Sequence, residues 1–61
     1  MQADDIMSMK EVCAYLRVHP STLYRMVKSD QLPHFKIGSD YRFRRQDILR
    51  WCEERIVAKK E

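Results

Sequence analysis

The residues best suited to chemistry lie on one side of a short helix that the sequence predicts from Pro20 onward. At about 100° per residue, Leu23, Met26 and Val27 share the apolar side of this helix. The opposite side and its two flanks carry hydroxyls, a phenol and two cations, with no carboxylate before Asp30. Groups of these kinds bind phosphates and the edges of bases. They are Ser21, Thr22, Tyr24, Arg25 and Lys28.

Another predicted helix precedes this one, and a tight turn over residues 17–19 joins the two. Ser8 and Glu11 have the spacing of a capping box, so the first helix should begin directly after Ser8. Pro20 fits the first position of the second helix, where its missing amide costs nothing. Two helices joined in this way are typical of a helix-turn-helix, whose second helix reads DNA. The apolar face of the first helix consists of Met9, Val12, Cys13 and Leu16.

Two short segments with alternating polarity, 34–37 and 41–44, predict a β-hairpin with a three-residue loop at 38–40. An isolated two-stranded ribbon is marginal in water, so its apolar face should rest on the helices. We predict that this inner face carries Phe35, Ile37, Tyr41 and Phe43. The outer face would then present a row of cations beside the second helix, as a wing does. These cations are Lys36, Arg42 and Arg44.

A third helix should run from Arg45 to about Val57 and complete the fold. We interpret Trp51 as the core anchor of its apolar stripe, and Met1–Ile6 as a loose arm because it lacks periodicity. The sequence therefore predicts one domain over 1–61, ordered over about 7–57. Its fold class is mainly α with a small β-hairpin, a winged helix-turn-helix. The stripe of the third helix consists of Ile48, Trp51, Cys52 and Ile56.

The net charge of +3 is concentrated in the middle of the chain, since residues 17–45 sum to +5 and the remainder to −2. A basic centre favours a polyanionic partner, although a solvated charged surface would give the same total. No apolar run approaches the roughly 20 residues of a membrane span, and the first residues lack the basic start of a secretory signal. We therefore expect a cytoplasmic, nucleoid-associated protein.

The sequence offers no pattern typical of an enzyme, a cofactor site or a metal site. A chain of 61 residues leaves little protein for a catalytic cleft. His19 has no carboxylate or thiol at a useful spacing, so no pair of nucleophile and base can be assembled. Cys13 and Cys52 do not have zinc spacing, and we interpret them as buried free thiols, with a disulfide or a metal-sensing pair as the alternative. We therefore expect a binding protein without a cofactor.

The chain carries an ordered set of motifs: Ser8-x-x-Glu11, Leu16-x-Val18, Ser21-Thr22-x-Tyr24-Arg25, Lys28-Ser29, Leu32-Pro33, Ile37-Gly38, Arg42-Phe43-Arg44, Asp47-Ile48 and Trp51. Taken in this order, they resemble those of a known family, the excisionase-type winged helix-turn-helix of the MerR superfamily. The resemblance covers residues 7–52, and three positions depart from the family pattern. Arg17 stands where glycine is common, the expected N-cap His19 where serine is common, and Asp30 where glycine is common.

The resemblance implies binding to double-stranded DNA, with the second helix in the major groove and the wing alongside. Family members serve as excisionases of phages or mobile elements, or as transcription regulators. An integrase or recombinase, or RNA polymerase, would then be a further partner. A domain this small offers limited contact area, so we also expect cooperative self-association on DNA. The alternative is a protein-interaction module that uses the same fold to dock on an acidic partner.

Each outward residue has a role that its chemistry suggests. Arg25 can reach O6 and N7 of guanine with both ends of its guanidinium. Hydroxyls in the first turn of the helix suit a phosphate, and Arg42 on the wing could enter the minor groove. The remaining cations and the phenol are expected phosphate contacts. The full set of expected DNA contacts is Arg17, Ser21, Thr22, Tyr24, Arg25, Lys28, Lys36, Arg42 and Arg44.

Overall fold

The computed structural model describes residues 5–56 and confirms a small winged helix-turn-helix. Three helices pack on one face of an antiparallel sheet that has three strands, one more than the sequence predicts. In chain order the elements are β1 (Ile6–Ser8), α1 (Met9–Leu16), α2 (Pro20–Lys28), β2 (Phe35–Ile37), β3 (Asp40–Arg44) and α3 (Arg45–Glu54).

Helix α1 begins and ends where local signals place it. The amide of Glu11 donates to Ser8 Oγ at 3.2 Å, and the amide of Ser8 donates to Glu11 Oε1 at 2.8 Å, which confirms the capping box. The helix ends at Leu16 because Arg17 adopts a left-handed conformation, with φ 58°. The amide of Val18 then donates back to the carbonyl of Cys13 at 3.1 Å, which turns the chain sharply towards α2.

Helix α2 begins at Pro20, as predicted. Pro20 occupies its first turn and His19 is its N-cap, with the ring Nδ1 accepting from the amide of Ser21 at 3.1 Å. The imidazole of His19 thus accepts the capping hydrogen bond that a serine hydroxyl usually accepts at this position. The helix ends at Lys28, and Asp30 is left-handed with φ 58°, as its sequence position suggests.

The core lies between the helices and the inner face of the sheet. Leu23 and Val27 from α2 are buried there, which confirms the predicted orientation of that helix. Two of the buried residues, Met7 and Leu32, are not predicted from the sequence to lie in the core. Both thiols are free, with Cys13 buried and Cys52 half-buried. The core residues are Met7, Val12, Cys13, Leu23, Val27, Leu32, Phe43 and Ile48.

The expected loose arm at Met1–Ile6 is wrong for its last residue, and residues 1–4 lie outside the described part. Ile6–Ser8 forms β1, which pairs with β3 in the strand order β1-β3-β2. Met7 lies opposite Phe43, and both side chains are buried. Three residues show no local periodicity, so this strand depends on its partner and could not be detected from its own sequence.

The hairpin turn has two residues, Gly38 and Ser39, and not the predicted three. Ile37 pairs directly with Asp40, which therefore belongs to β3. Gly38 has φ +63°, in the left-handed region that a two-residue turn favours at its first position. The pairing of the whole hairpin is consequently shifted by one residue from the predicted register.

This shift exchanges side chains between the two faces of the sheet, because a strand alternates with a period of two. Lys36 pairs with Tyr41 and so shares the inner face with Tyr41 and the fully buried Phe43. The predicted positions of Lys36, Phe35 and Ile37 were therefore wrong. The outer face carries Phe35, Ile37, Arg42 and Arg44.

Helix α3 ends at Glu54, earlier than predicted, and Val57 lies outside the described residues. Ile56 is 68% exposed, so its assignment to the apolar stripe was wrong. Trp51 packs against the edge of the core, half-buried, instead of at its centre. Its indole Nε1 donates to the carbonyl of Gln31 at 2.7 Å, and this bond ties α3 to the loop that follows α2.

Candidate nucleic-acid interface

The outward face of α2 is exposed because Leu23 and Val27 hold the opposite face in the core. Arg25 and Lys28 are both exposed near the end of this helix. Within residues 5–56, Arg25 forms no ion pair and its guanidinium forms no hydrogen bond. The helix therefore presents a guanidinium whose donors are all available to a ligand.

The first turn of α2 differs from the expected phosphate site. The amide of Ser21 is used by His19 Nδ1, and the amide of Thr22 donates to the carbonyl of His19 at 2.9 Å. The hydroxyl of Ser21 also lies 2.9 Å from His19 Nδ1. These two backbone amides are thus already occupied. What this turn offers an anion is its side-chain hydroxyls: that of Thr22 is half-buried, and that of Ser21 must first release His19 Nδ1.

Four side chains form a continuous row from α2 to the hairpin, which we call the aromatic–lysine ladder: Lys28, Tyr24, Tyr41 and Lys36. Lys28 Nζ lies 5.7 Å from the centre of the Tyr24 ring. The Tyr24 and Tyr41 rings meet edge to face at 6.2 Å, and Lys36 Nζ lies 5.5 Å from the Tyr41 ring. Each ammonium is within the range of a cation–π interaction. The structure thus joins the helix and the wing through two phenols and two ammonium groups.

The other two expected wing contacts lie on the opposite face of the sheet, each beside a carboxylate. Arg42 Nη1 donates to the carbonyl of Tyr41 at 2.9 Å, and Arg42 Nη2 lies 3.8 Å from Asp40 Oδ2. Arg44 Nε lies 3.2 Å from Asp47 Oδ2. The predicted row of three wing cations is therefore divided, with Lys36 on the side of α2 and the two arginines away from it.

Arg17 occupies the turn before α2, exposed and left-handed. A side chain longer than glycine is tolerated there because it points into solvent, at the modest strain of that backbone region. Arg17 thus adds an exposed positive charge two residues before Pro20. Of the nine expected contacts, the structure places Tyr24, Lys28 and Lys36 in one ladder.

Tyr41 and His34 belong to this surface but were missed by the sequence analysis. His34 Nδ1 donates to the carbonyl of Leu32 at 2.8 Å, and its ring meets the Tyr41 ring edge-on at 5.6 Å. His34 Nε2 also lies 3.9 Å from Asp30. A signal was available for Tyr41, because Gly38-Ser39 is itself an acceptable two-residue turn and pairs Tyr41 with Lys36.

Comparison with known proteins identifies the family of this chain. A protein-family model described as a helix-turn-helix domain matches residues 6–56. The chain belongs to the helix-turn-helix domain family. No curated protein and no solved structure gives a significant match. The match spans every helix and strand of the fold, and a helix-turn-helix binds DNA through its second helix. DNA is thus the partner that family and fold together support.

Two kinds of feature are absent from the described residues of this helix-turn-helix domain. Within residues 5–56, no three side chains of histidine, cysteine, aspartate or glutamate are grouped as a metal site would require. None of the helices in that range is long and apolar enough to cross a membrane.

Proposed function

We propose that this helix-turn-helix domain binds double-stranded DNA sequence-specifically, with α2 in the major groove and the wing, residues 34–44, on the backbone or in the minor groove. The observation that supports this proposal is the exposed face of α2. The guanidinium of Arg25 has no protein partner in the described part of the chain, and the nearby ring of Tyr24 contacts Tyr41 of the wing. A helix of nine residues fits the major groove, which admits one α-helix.

Within this proposal the outward residues divide into a base reader and phosphate contacts. Arg25 reads guanine, since both ends of its fork are available. Lys28, Tyr24 and Lys36 contact phosphates along the ladder, and the exposed cation of Arg17 contacts another. Hydroxyls of the first turn add hydrogen bonds to the backbone. These hydroxyls belong to Ser21 and Thr22.

Arg42 and Arg44 take part in a different way, because they occupy the outer face of the wing. A ribbon that enters the minor groove has a groove wall on each side, so both of its faces can approach phosphates. Each arginine would then exchange its carboxylate, Asp40 or Asp47, for the DNA backbone. Both existing pairs are partly exposed, so little stability is lost in that exchange.

Substituting Arg25 and Lys28 separately should distinguish base reading from phosphate binding. Arg25→Ala is expected to reduce the preference for the cognate duplex by about 1–3 kcal/mol, since a bidentate contact to guanine discriminates by that amount. Lys28→Ala, the matched control on the same helix, should weaken cognate and random duplexes about equally. Fluorescence anisotropy with both duplexes measures the difference. Equal losses on the two duplexes for Arg25→Ala would remove its base-reading role.

We propose further that the domain belongs to the excisionase-type branch of the MerR superfamily and acts in site-specific excision or in transcription regulation. Its further partner would be an integrase or recombinase in the first case, and RNA polymerase in the second. Selecting bound duplexes from a random pool, and mapping the selected motif onto the source genome, separates these roles. A motif beside an integrase gene indicates excision, and one overlapping a promoter indicates regulation. A pool that yields no motif favours docking on an acidic protein instead.

Cooperative self-association on DNA is also part of this proposal, because one small domain buries too little surface for tight binding. As protein is added to a duplex with several sites in a row, the footprint is expected to lengthen past the first site at nearly constant concentration. A DNase footprint titration measures this, with a single-site duplex as the control. A footprint that remains at one site until far higher concentrations would contradict self-association.

A further inference from the structure

The side chain of Tyr41 lies at the junction of the recognition helix and the wing. Its ring meets Tyr24 of α2 at 6.2 Å, His34 at the start of the wing at 5.6 Å and the ammonium of Lys36 at 5.5 Å. The same ring packs against the hydrophobic core. One half-buried side chain thus contacts two proposed DNA-binding residues that belong to different elements.

The wing needs such a contact because little else restrains its tip. Strand β2 has only three residues and forms an edge of the sheet, and Ile37 beside the turn is 57% exposed. Strand β1 pairs with β3 only at residues 42–44, so the part of the wing nearer the turn has two strands, and a ribbon of that kind is only marginally stable alone. Its angle to α2 must therefore be set by a direct contact between ribbon and helix, and the ring of Tyr41, in the middle pair of the hairpin, makes that contact with Tyr24. Edge-to-face aromatic pairs favour a definite geometry, in contrast to aliphatic contacts.

We infer that Tyr41 is a positioning residue for DNA binding, which holds Tyr24 and Lys36 so that α2 and the wing meet the duplex in one fixed relative orientation. This inference rests on the proposed DNA binding. Fixing the orientation before binding lowers the entropy lost on association, so the contribution appears as affinity. Tyr41 acts through its ring and not through its hydroxyl, because the ring faces all three neighbours.

The position of His34 agrees with this role. Its Nδ1 donates a hydrogen bond to the carbonyl of Leu32 at 2.8 Å, and its ring packs against a second side of the Tyr41 ring. The ring of Tyr41 is therefore confined between the segment that enters the wing and the helix that would enter the major groove. A leucine at position 41 would fill part of the same space without the directional edge contacts.

The test is a double-mutant cycle of Tyr24 and Tyr41 on binding to the duplex selected from the random pool. Tyr41→Leu is expected to weaken binding about five- to tenfold, which is the range of an aromatic pair, and Tyr24→Ala about tenfold. The double variant should lose clearly less than the fifty- to hundredfold that independent effects would give, because removing Tyr24 removes one of the two groups that Tyr41 positions. Tyr41→Phe keeps the ring and should restore binding to within about twofold of the wild type.

Two controls separate positioning from loss of the fold. Each variant is checked by thermal unfolding, and binding is measured where all are folded. Ile48→Val lowers stability by a similar amount from the core, away from the ladder, and should leave affinity unchanged. If Tyr41→Leu does not fold, Tyr24→Leu breaks the same ring contact from the exposed side, with Tyr24→Phe as its conservative partner.

The possible outcomes are distinct. Losses that multiply in the double variant, or a Tyr41→Phe protein as weak as Tyr41→Leu, overturn the positioning role and leave the proposed DNA binding intact. A wild-type protein that binds no duplex in the pool overturns both. Non-multiplying losses together with rescue by phenylalanine support the inference.

Discussion

Binding to duplex DNA is expected to weaken about 500-fold when monovalent salt is raised from about 50 to 200 mM. Five cations besides Arg25 are proposed to contact phosphates, two of them from the outer face of the wing, and each phosphate that they neutralise releases a condensed counterion. The logarithm of the binding constant should then fall with the logarithm of the salt concentration at a slope near −4.5. An anisotropy titration at several salt concentrations measures this slope. The five are Arg17, Lys28, Lys36, Arg42 and Arg44.

The same titration tests the individual cations. Lys28→Ala should make the slope shallower by about 0.9, whereas Ser29→Ala, the uncharged neighbour, should leave it unchanged. If Arg42 and Arg44 stay with their carboxylates on the outer face, three contacts remain and the wild-type slope is about −2.7. Binding that does not depend on salt would exclude the proposed interface altogether.

Phe43→Ala is expected to unfold most of the protein at room temperature. Phe43 is fully buried on the central strand, opposite Met7, and lies in the same core as Leu23 and Ile48. Removing such a ring costs about 3–5 kcal/mol, which is about the whole stability that a core of this size supplies. Thermal and urea unfolding followed by circular dichroism would show the loss of a cooperative transition.

Phe35→Ala provides the matched control, because the same residue type lies eight positions earlier on the outer face of the sheet and is only half-buried. Its loss should cost about 1 kcal/mol, in proportion to the smaller apolar area removed from water. This comparison also checks the hairpin register, since the predicted three-residue loop would put both rings in the core. Equal destabilisation by the two substitutions would contradict the two-residue turn.

The features that the sequence predicts correctly are those set by neighbouring residues. The capping box at Ser8 and Glu11, the start of α2 at Pro20 and the burial of Leu23 each depend on spacing within one helix. The left-handed Asp30 follows from its place after a helix. These elements include the whole helix-turn-helix and the exposed face of α2, so most of the candidate site was predictable.

The features that the sequence does not predict depend on pairing between distant segments. The predicted loop is one residue too long, so the predicted register places Lys36 on the wrong face of the sheet. For the same reason it does not predict the contact between Tyr41 and Tyr24. Strand β1 carries too few residues to show a pattern, and Leu32 is buried only because the chain folds back after α2. The length of the hairpin loop sets the register of the two strands, and the register decides on which face of the sheet each side chain lies. One sequence is compatible with more than one loop length, so it does not settle the register.

The bond from Trp51 to the carbonyl of Gln31 has a practical consequence. The chain has one tryptophan, and its indole is held by the loop just after α2, with Arg55 over its ring at 4.2 Å. Its fluorescence is therefore a natural optical reporter of how that loop is held. Any displacement of the reading helix as it docks would change the emission, with no dye or label attached to the protein.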